Sequence, residues 1–241
     1  RVPYGPKSPE TVRRYSREIL EWLLRHDVKA VVVACNTATA HALDDLQAHS
    51  PVPVIGVIEP GARAAVAATK TGTVGVIGTA GTIASGAYVR ALLRQRDDMR
   101  ILAQPCPLLV PLVEEGWFDH PATLLVANEY LSPLRGAGID ALVLGCTHYP
   151  MLAPLLGQIM GPAVQLIDSA RETARELARV LVAAGLAAPA SAVATERWIA
   201  TDDAARFSRV GALFMGSVPA AVEIVEPATV ELSAERFESD L

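Results

Sequence analysis

Short apolar runs alternate with longer amphipathic stretches along almost the whole chain. The runs are rich in β-branched residues and predict buried strands at 29–35, 52–58, 71–79, 100–106, 140–146 and 164–168. The stretches repeat apolar residues at helical spacing and predict helices at 8–26, 38–49, 61–69, 83–96, most of 107–136, 151–160 and 169–185. Two final short strands are predicted at 197–201 and 222–226. Strands that alternate with helices predict an α/β fold with mostly parallel sheets covered by helices.

A cysteine stands at the end of two of these predicted strands. Aligned on Cys35 and Cys146, residues 31–37 (VVVACNT) lie over residues 142–148 (LVLGCTH). Ligands of parallel α/β sheets bind beyond the carboxyl ends of the strands, where both thiols are expected. The duplication predicts two similar α/β lobes, each of which offers one thiol.

The composition of the chain indicates which kinds of molecule it is expected to bind and where it is expected to be located. The chain of 241 residues is 51% hydrophobic with a net charge of −5, which is typical of a globular protein and favours neither nucleic acid nor a membrane surface. No apolar stretch reaches the roughly 18–20 residues of a membrane span. Three cysteines, an odd number, argue against a disulfide framework and predict a reducing, cytoplasmic location.

Two paired thiols suit three kinds of chemistry. They can form a redox disulfide, bind a metal together with His148, or act as acid and base on one substrate. Metal sites usually show closely spaced cysteines or clustered histidines, and the histidines of this chain fit no such spacing. A redox disulfide is disfavoured because the chain has no Cys-x-x-Cys motif. One thiol on each side of a cleft suits acid–base work best. A helix that begins just after each cysteine is expected to lower the thiol pKa from about 8.5.

The residues around the two cysteines indicate a small anionic substrate. Asn36, Thr37 and Thr147, with backbone N–H groups at two helix starts, form a donor-rich pocket that suits carboxylates. Thr79 and Thr82 follow a third strand and either add to this pocket or only cap a helix. The third cysteine, Cys106, stands between two prolines without polar neighbours and is expected to be a packing residue.

Five motifs together resemble the glutamate racemases, which interconvert L- and D-glutamate without a cofactor. They occur in the order PYGPKS, ACNTATA, PVPVIGVIEP, GVIGTAGTI and LGCTHYP. The related aspartate racemases usually carry glutamate where His148 stands, so this residue favours the glutamate branch. A racemase for another amino acid such as aspartate, or a non-catalytic binding or regulatory protein with the same fold, stays as an alternative.

The resemblance also implies a domain organisation and a biological role. It implies two α/β domains with the active site in the cleft between them. The first domain is expected to be discontinuous, covering 1–58 plus 168–241, with the second domain at 59–167. No cofactor and no metal are expected, and the product D-glutamate would supply peptidoglycan synthesis. The lysines agree with this, because pyridoxal phosphate needs a Schiff-base lysine and none of the three lysines lies in a thiol motif. A homodimer is compatible with the resemblance.

Site residues follow from the same resemblance. Cys35 and Cys146 are expected to be the two catalytic bases, the first deprotonating D-glutamate and the second L-glutamate. His148 is expected to assist Cys146, with Glu114 supporting that side. Substrate contacts are expected from Tyr4, Gly5, Asn36, Thr37, Thr147 and His148.

The sequence departs from the family at its start. Glutamate racemases begin with a strand that ends in an Asp-Ser-Gly motif, whose Asp assists the first cysteine and whose Ser contacts glutamate. The sequence starts at Arg1, beyond that motif. Without the motif, we expect the first domain to lack a strand and the fragment to racemise weakly or not at all.

Overall fold

The predicted alternation of strands and helices is present in the computed structural model, which describes residues 1–218 and 221–227. The strands are β1 (Val31–Val33), β2 (Val54–Gly56), β3 (Thr73–Gly78), β4 (Arg100–Pro105), β5 (Ala141–Gly145), β6 (Gln165–Asp168), β7 (Trp198–Ala200) and β8 (Val222–Ile224). The helices are α1 (Pro9–Leu24), α2 (Asn36–His49), α3 (Ile58–Ala68), α4 (Ala80–Ala84), α5 (Ala87–Gln95), α6 (Leu109–Glu114), α7 (Pro121–Arg135), α8 (Ala153–Met160), α9 (Ser169–Ala183) and α10 (Ala204–Met215). The predicted α/β class is therefore confirmed.

All the strand pairs in the described part of the chain are parallel. One sheet has four strands in the order β4-β3-β5-β6, and β1-β2 and β7-β8 form two-stranded sheets. Gly78 at the end of β3 lies opposite Gly145 at the end of β5. Because these strands end at the same level, the residues that follow them, Thr79 and Cys146, emerge at one edge of the sheet.

Helices cover both faces of the four-stranded sheet. Ile77, Leu142 and Leu144 belong to a buried cluster with residues of α6, α7 and α8. Val76 and Val143 point the other way and belong to a second cluster with residues of α3 and α5. The runs of β3 and β5 are apolar because successive side chains point to opposite faces of the sheet and helices cover both faces.

The β1-β2 sheet differs from the prediction of burial on both faces. Val31 lies in a cluster with Leu20, Ala42 and Leu46, whereas Val32 on the opposite face is 37% exposed. One face of β1 is thus covered by α1 and α2, and the β-branched run alone did not distinguish this arrangement from full burial.

Two helical regions also differ from the prediction. Gly86 adopts a left-handed conformation (φ +66°) and divides the single helix predicted at 83–96 into α4 and α5. No helix is predicted at 204–215, yet α10 occupies these residues. It begins where the Asp203 carboxylate accepts a 2.9 Å hydrogen bond from the backbone N–H of Arg206.

The domain boundaries stay a prediction. The β1-β2 sheet lies within 1–58, and β3, β4 and β5 lie within 59–167, whereas β6 ends at Asp168. Of the helices described in 1–218 and 221–227, none is long and apolar enough to cross a membrane.

Candidate active site

A cleft of about 500 Å³ opens beyond the carboxyl ends of β1, β3 and β5. Both paired thiols line it, and each belongs to a free cysteine. Glu114 and Arg206 reach the same cleft. It is also lined by every residue that the sequence predicts to contact substrate: Tyr4, Gly5, Asn36, Thr37, Thr147 and His148. The structure brings these residues together, and their individual roles stay predictions.

The thiol of Cys35 lies between β1 and the first turn of α2. Cys35 is the N-cap residue of α2 and its side chain makes no capping hydrogen bond, but the nearby backbone N–H groups of Thr37 and Ala38 and the Thr37 hydroxyl act to lower the pKa of its thiol. These donors favour the thiolate, but burial raises the pKa of Cys35 and outweighs them. The expectation that a helix start lowers this pKa is therefore wrong.

The surroundings of Cys146 differ from those of Cys35. Cys146 is 7% exposed, and burial raises the pKa of its thiol to about 12, with the nearby Cys35 adding to the shift. No α-helix begins directly after it, contrary to the prediction. A short 3-10 turn (Tyr149–Leu152) follows, and α8 starts only at Ala153. The local donors are the backbone N–H of His148 and the Thr147 hydroxyl.

A chain of polar contacts lies behind Cys146. Nδ1 of His148 is 3.7 Å from the Cys146 Sγ, and Nε2 of His148 is 3.1 Å from Oε1 of Glu114. Because a carboxylate can only accept, Nε2 carries the hydrogen and Nδ1 of a neutral ring has a lone pair free. Burial lowers the pKa of His148, although Glu114 opposes this shift. The pKa directions of the two groups oppose proton transfer from Cys146 to His148, whereas the free lone pair on Nδ1 beside the thiol gives His148 the geometry to accept that proton.

One amide in the cleft has an unused donor. Tyr88 is fully buried and its hydroxyl donates a 2.6 Å hydrogen bond to Oδ1 of Asn36. The Asn36 Nδ2 group is buried and has no hydrogen-bond partner among the described residues. A buried amide donor without a partner is costly, so this group is suited to an acceptor that enters the cleft.

Three threonine hydroxyls join α2 to the start of α4. The Oγ1 atoms of Thr37, Thr79 and Thr82 lie 2.9–3.1 Å from one another, and all three side chains are buried. Thr79 also caps α4, accepting from the backbone N–H of Thr82. Both interpretations of Thr79 thus apply, because it caps a helix and also lines the cleft.

Three residues that contact the cleft residues could not be identified from the sequence. Tyr88 and Phe214 are in helices whose apolar pattern is ordinary, and their contacts to Asn36 and His148 span 52 residues or more along the chain. Arg206 lies on the unpredicted helix α10. The residue pair Asp202 and Asp203, a helix-start signal, was the feature that could have indicated α10.

Cys106 is a packing residue, as predicted. Its side chain is fully buried in the cluster beneath α6 and α7, and it does not line the cleft. Burial raises the pKa of its thiol to about 12. Within 1–218 and 221–227, no group of three or more His, Cys, Asp or Glu residues is arranged to hold a metal ion.

Two free thiols in one donor-lined cleft of a parallel α/β fold are suited to two-base chemistry, in which one group removes a proton and the other returns one. The model of the Asp/Glu/Hydantoin racemase family matches residues 1–177. The chain belongs to this family.

Three relatives in this family are similar to this chain over 90% or more of its length. The glutamate racemase of Geobacter metallireducens is 53% identical over 216 residues, which cover 90% of this chain and 80% of that protein. The crystal structure of glutamate racemase isoform RacE1 from Bacillus anthracis superimposes with a TM-score of 0.90 at 40% identity, covering 94% of this chain and 84% of that one. The Francisella tularensis enzyme, crystallised in complex with D-glutamate, has a TM-score of 0.88 at 34% identity, with 95% and 86% covered.

Proposed function

We propose that this chain interconverts L-glutamate and D-glutamate by a two-thiol acid–base mechanism, supplying D-glutamate for peptidoglycan. The observation that carries the proposal is the placement of Cys35 and Cys146 in one cleft with the unpartnered amide donor of Asn36. Relatives named glutamate racemase, 46–53% identical over at least 90% of this chain, support glutamate as the substrate.

The glutamate carboxylates would bind among neutral donors. Asn36 Nδ2, the Thr37 and Thr147 hydroxyls, and the N–H groups at the start of α2 favour negative charge in the cleft. They would also stabilise the charge that develops when the weakly acidic α-proton leaves. Tyr4 and Gly5 would close the cleft from the N-terminal turn.

The two thiols and His148 together account for every proton that moves in the reaction. For L-glutamate, His148 first accepts the Cys146 proton at Nδ1, and the Cys146 thiolate then takes the α-proton. The Cys35 thiol delivers its proton to the opposite face of the carbanion, which leaves D-glutamate, a Cys146 thiol, a Cys35 thiolate and the extra proton on Nδ1 of His148. Transfer of this proton from His148 through solvent to the Cys35 thiolate, once the product has left, restores the starting state. The reverse reaction begins with the Cys35 thiolate, which the N–H groups of Thr37 and Ala38 stabilise.

The remaining parts of the proposal concern organisation. We propose the discontinuous division into 1–58 plus 168–241 and 59–167, with the cleft between them. A reducing cytoplasm suits the mechanism because both working thiols must stay free. A homodimer is compatible with the family, and sedimentation of the purified protein measures it.

Racemisation in deuterated water tests the mechanism. In the full-length protein, Cys35→Ala and Cys146→Ala should each lower the racemisation rate by at least about 10³-fold, because each removes an obligatory proton carrier. Cys106→Ala is the matched control and should keep near-normal turnover, since this thiol lies outside the cleft. Near-normal turnover in either cleft variant would overturn the two-base mechanism.

Polarimetry with single L-amino acids tests the substrate. Glutamate should lose its rotation and deuterate at Cα, while aspartate should not. Faster turnover of aspartate would identify the other branch of the family. Glutamate binding without racemisation by the full-length protein would instead favour a non-catalytic role.

A further inference from the structure

Helix α10 contacts the Cys146 side of the cleft through an ion pair between Arg206 and Glu114. Nη2 of Arg206 donates to Oε2 of Glu114 at 2.5 Å, across 92 residues of sequence. The other carboxylate oxygen, Oε1, contacts Nε2 of His148. Four side chains thus form one continuous line, from Arg206 through Glu114 and His148 to Cys146.

We infer that Arg206 is a positioning residue for proton transfer at Cys146, holding Glu114 so that His148 keeps its hydrogen on Nε2 and its lone pair on Nδ1. This inference rests on the proposed function, because it assigns a part in the same proton transfer. Arg206 itself would touch neither the reacting atoms nor the thiol.

The ion pair fixes the orientation of Glu114. A carboxylate with one oxygen engaged can rotate and present either oxygen, or turn to water, whereas one with both oxygens engaged cannot. Arg206 occupies Oε2 and leaves Oε1 for the imidazole. The side chain of Glu114 is 16% exposed, while that of Arg206 is 53% exposed. An ion pair with so exposed a partner adds little to the stability of the protein. Its main effect is that Arg206 fixes the orientation of the more buried Glu114.

If Glu114 turned away, His148 would lose the acceptor that keeps its hydrogen on Nε2. Without an acceptor at Nε2, the hydrogen of neutral His148 can move to Nδ1, where it would point at Cys146. The Thr147 hydroxyl, 3.3 Å from Nδ1, can accept that hydrogen and so stabilise the wrong form. In that form His148 cannot accept the thiol proton.

The same helix holds the imidazole from a second side. The ring of Phe214 meets the ring of His148 edge-on at a centroid distance of 5.4 Å. The Asp203 carboxylate fixes the first turn of α10 at the backbone of Arg206. Contacts from both ends of α10 thus converge on the Glu114–His148 pair, which an incidental surface ion pair would not require.

A direct role in substrate binding is the competing interpretation. Arg206 lines the cleft, and a guanidinium binds carboxylates well. Its Nη2 is, however, committed to Glu114, so glutamate would have to share that group. The two roles differ in kinetics, because a binding residue changes KM and a positioning residue changes kcat.

Variants of the full-length protein test the inference. Arg206→Gln removes the positive charge from the ion pair with Glu114, whereas Arg206→Lys keeps a positive charge but on a single nitrogen. Arg209→Gln is the control. Arg209 is an exposed arginine one turn along α10 that makes no ion pair with any described residue. Steady-state racemisation gives kcat and KM, and 15N NMR of labelled histidine gives the tautomer of His148, assigned with a His148→Gln sample.

Arg206→Gln should lower kcat about tenfold with KM changed less than about twofold, because a positioning residue acts on the transition state more than on substrate binding. Its NMR spectrum should gain the Nδ1–H form of His148. Arg206→Lys should recover part of both effects, and Arg209→Gln should match the parent protein. A rise in KM alone would overturn the inference in favour of substrate binding, and unchanged kcat and tautomer would reduce the pair to a surface contact.

The two readouts separate this inference from the proposed function. If the parent protein does not racemise glutamate, the proposed function fails, but the tautomer of His148 still reports whether Arg206 positions it. If the parent racemises glutamate and Arg206→Gln shows neither change, only the role of Arg206 fails.

Discussion

The hydroxyl of Tyr88 donates to Oδ1 of Asn36 at 2.6 Å, and this bond determines which atom of the amide is left without a partner. Tyr88→Phe removes the donor while keeping the ring. The Asn36 amide then loses its fixed orientation, so KM for glutamate should rise several-fold. A buried acceptor without its donor should also lower the free energy of unfolding by about 1–3 kcal/mol. Urea unfolding and steady-state kinetics measure the two effects.

Tyr130→Phe is the control for this substitution. The Tyr130 oxygen makes only a 3.4 Å contact with the backbone N–H of Leu108, so both effects should be smaller. Equal KM values for the Tyr88→Phe variant and the parent would contradict the orienting role of Tyr88.

Gly5 has no space for a side chain. A Cβ atom there would lie 2.9 Å from the Thr79 Cβ, closer than such atoms approach in proteins. The Gly5 carbonyl also accepts a hydrogen bond from the backbone N–H of Gly81 at 3.2 Å. Gly5→Ala should therefore displace the N-terminal turn from the cleft and lower kcat/KM by about 10–100-fold, because misplacing a positioning group costs about that much.

Gly136→Ala is the matched control. Gly136 has φ −78°, and a Cβ there meets no atom within 4 Å. This variant should keep full activity and gain up to about 1 kcal/mol of stability by restricting the unfolded chain. Activity loss on the same scale in both variants would mean that the close approach to Thr79 is not the cause.

The hydroxyl of Thr82 belongs to the buried triangle with Thr37 and Thr79. Thr82→Val keeps the shape of the side chain but leaves two buried hydroxyls short of a partner. We expect the free energy of unfolding to fall by about 1–3 kcal/mol and KM to rise. Thr82→Ser keeps the hydroxyl and should retain the KM of the parent; if both variants bind glutamate equally well, the triangle does not shape the site.

Stability should decrease at alkaline pH because of the thiols. Burial raises the pKa of Cys35, and raises that of Cys106 and Cys146 to about 12. An unfolded thiol titrates near about 8.5. Above that pH the unfolded state loses protons that the folded state keeps, so unfolding becomes easier by up to about 1.4 kcal/mol per pH unit for each thiol.

Urea unfolding at about pH 7.5 and about pH 9.5 measures this slope, which should be shallower in Cys106→Ala than in the parent. An identical slope in both proteins would show that the Cys106 thiol does not titrate differently on folding.

Much of the fold was predictable because burial leaves a pattern in sequence. The runs at β3 and β5 are apolar throughout since helices cover both faces, and the structure has them as adjacent parallel strands. Val32 shows the limit of this argument, because a β-branched residue suits an exposed strand face as well as a covered one.

The candidate site was predictable where its residues are adjacent in sequence. Cys35, Asn36 and Thr37 form one motif, as do Cys146, Thr147 and His148, and all six line the cleft. The ionisation of the thiols was not predictable in the same way. Helix donors are visible in sequence, whereas the burial that opposes them depends on elements from the whole chain.

The two thiols are supported by different groups, with helix N–H donors at Cys35 and an imidazole at Cys146. L- and D-glutamate have equal free energies in water, so no asymmetry of the protein can make either one accumulate at equilibrium. The difference between the two sides can only decide which proton transfer limits the rate in each direction. A deuterium label at Cα of one enantiomer should therefore slow turnover by a different factor than the same label on its mirror image.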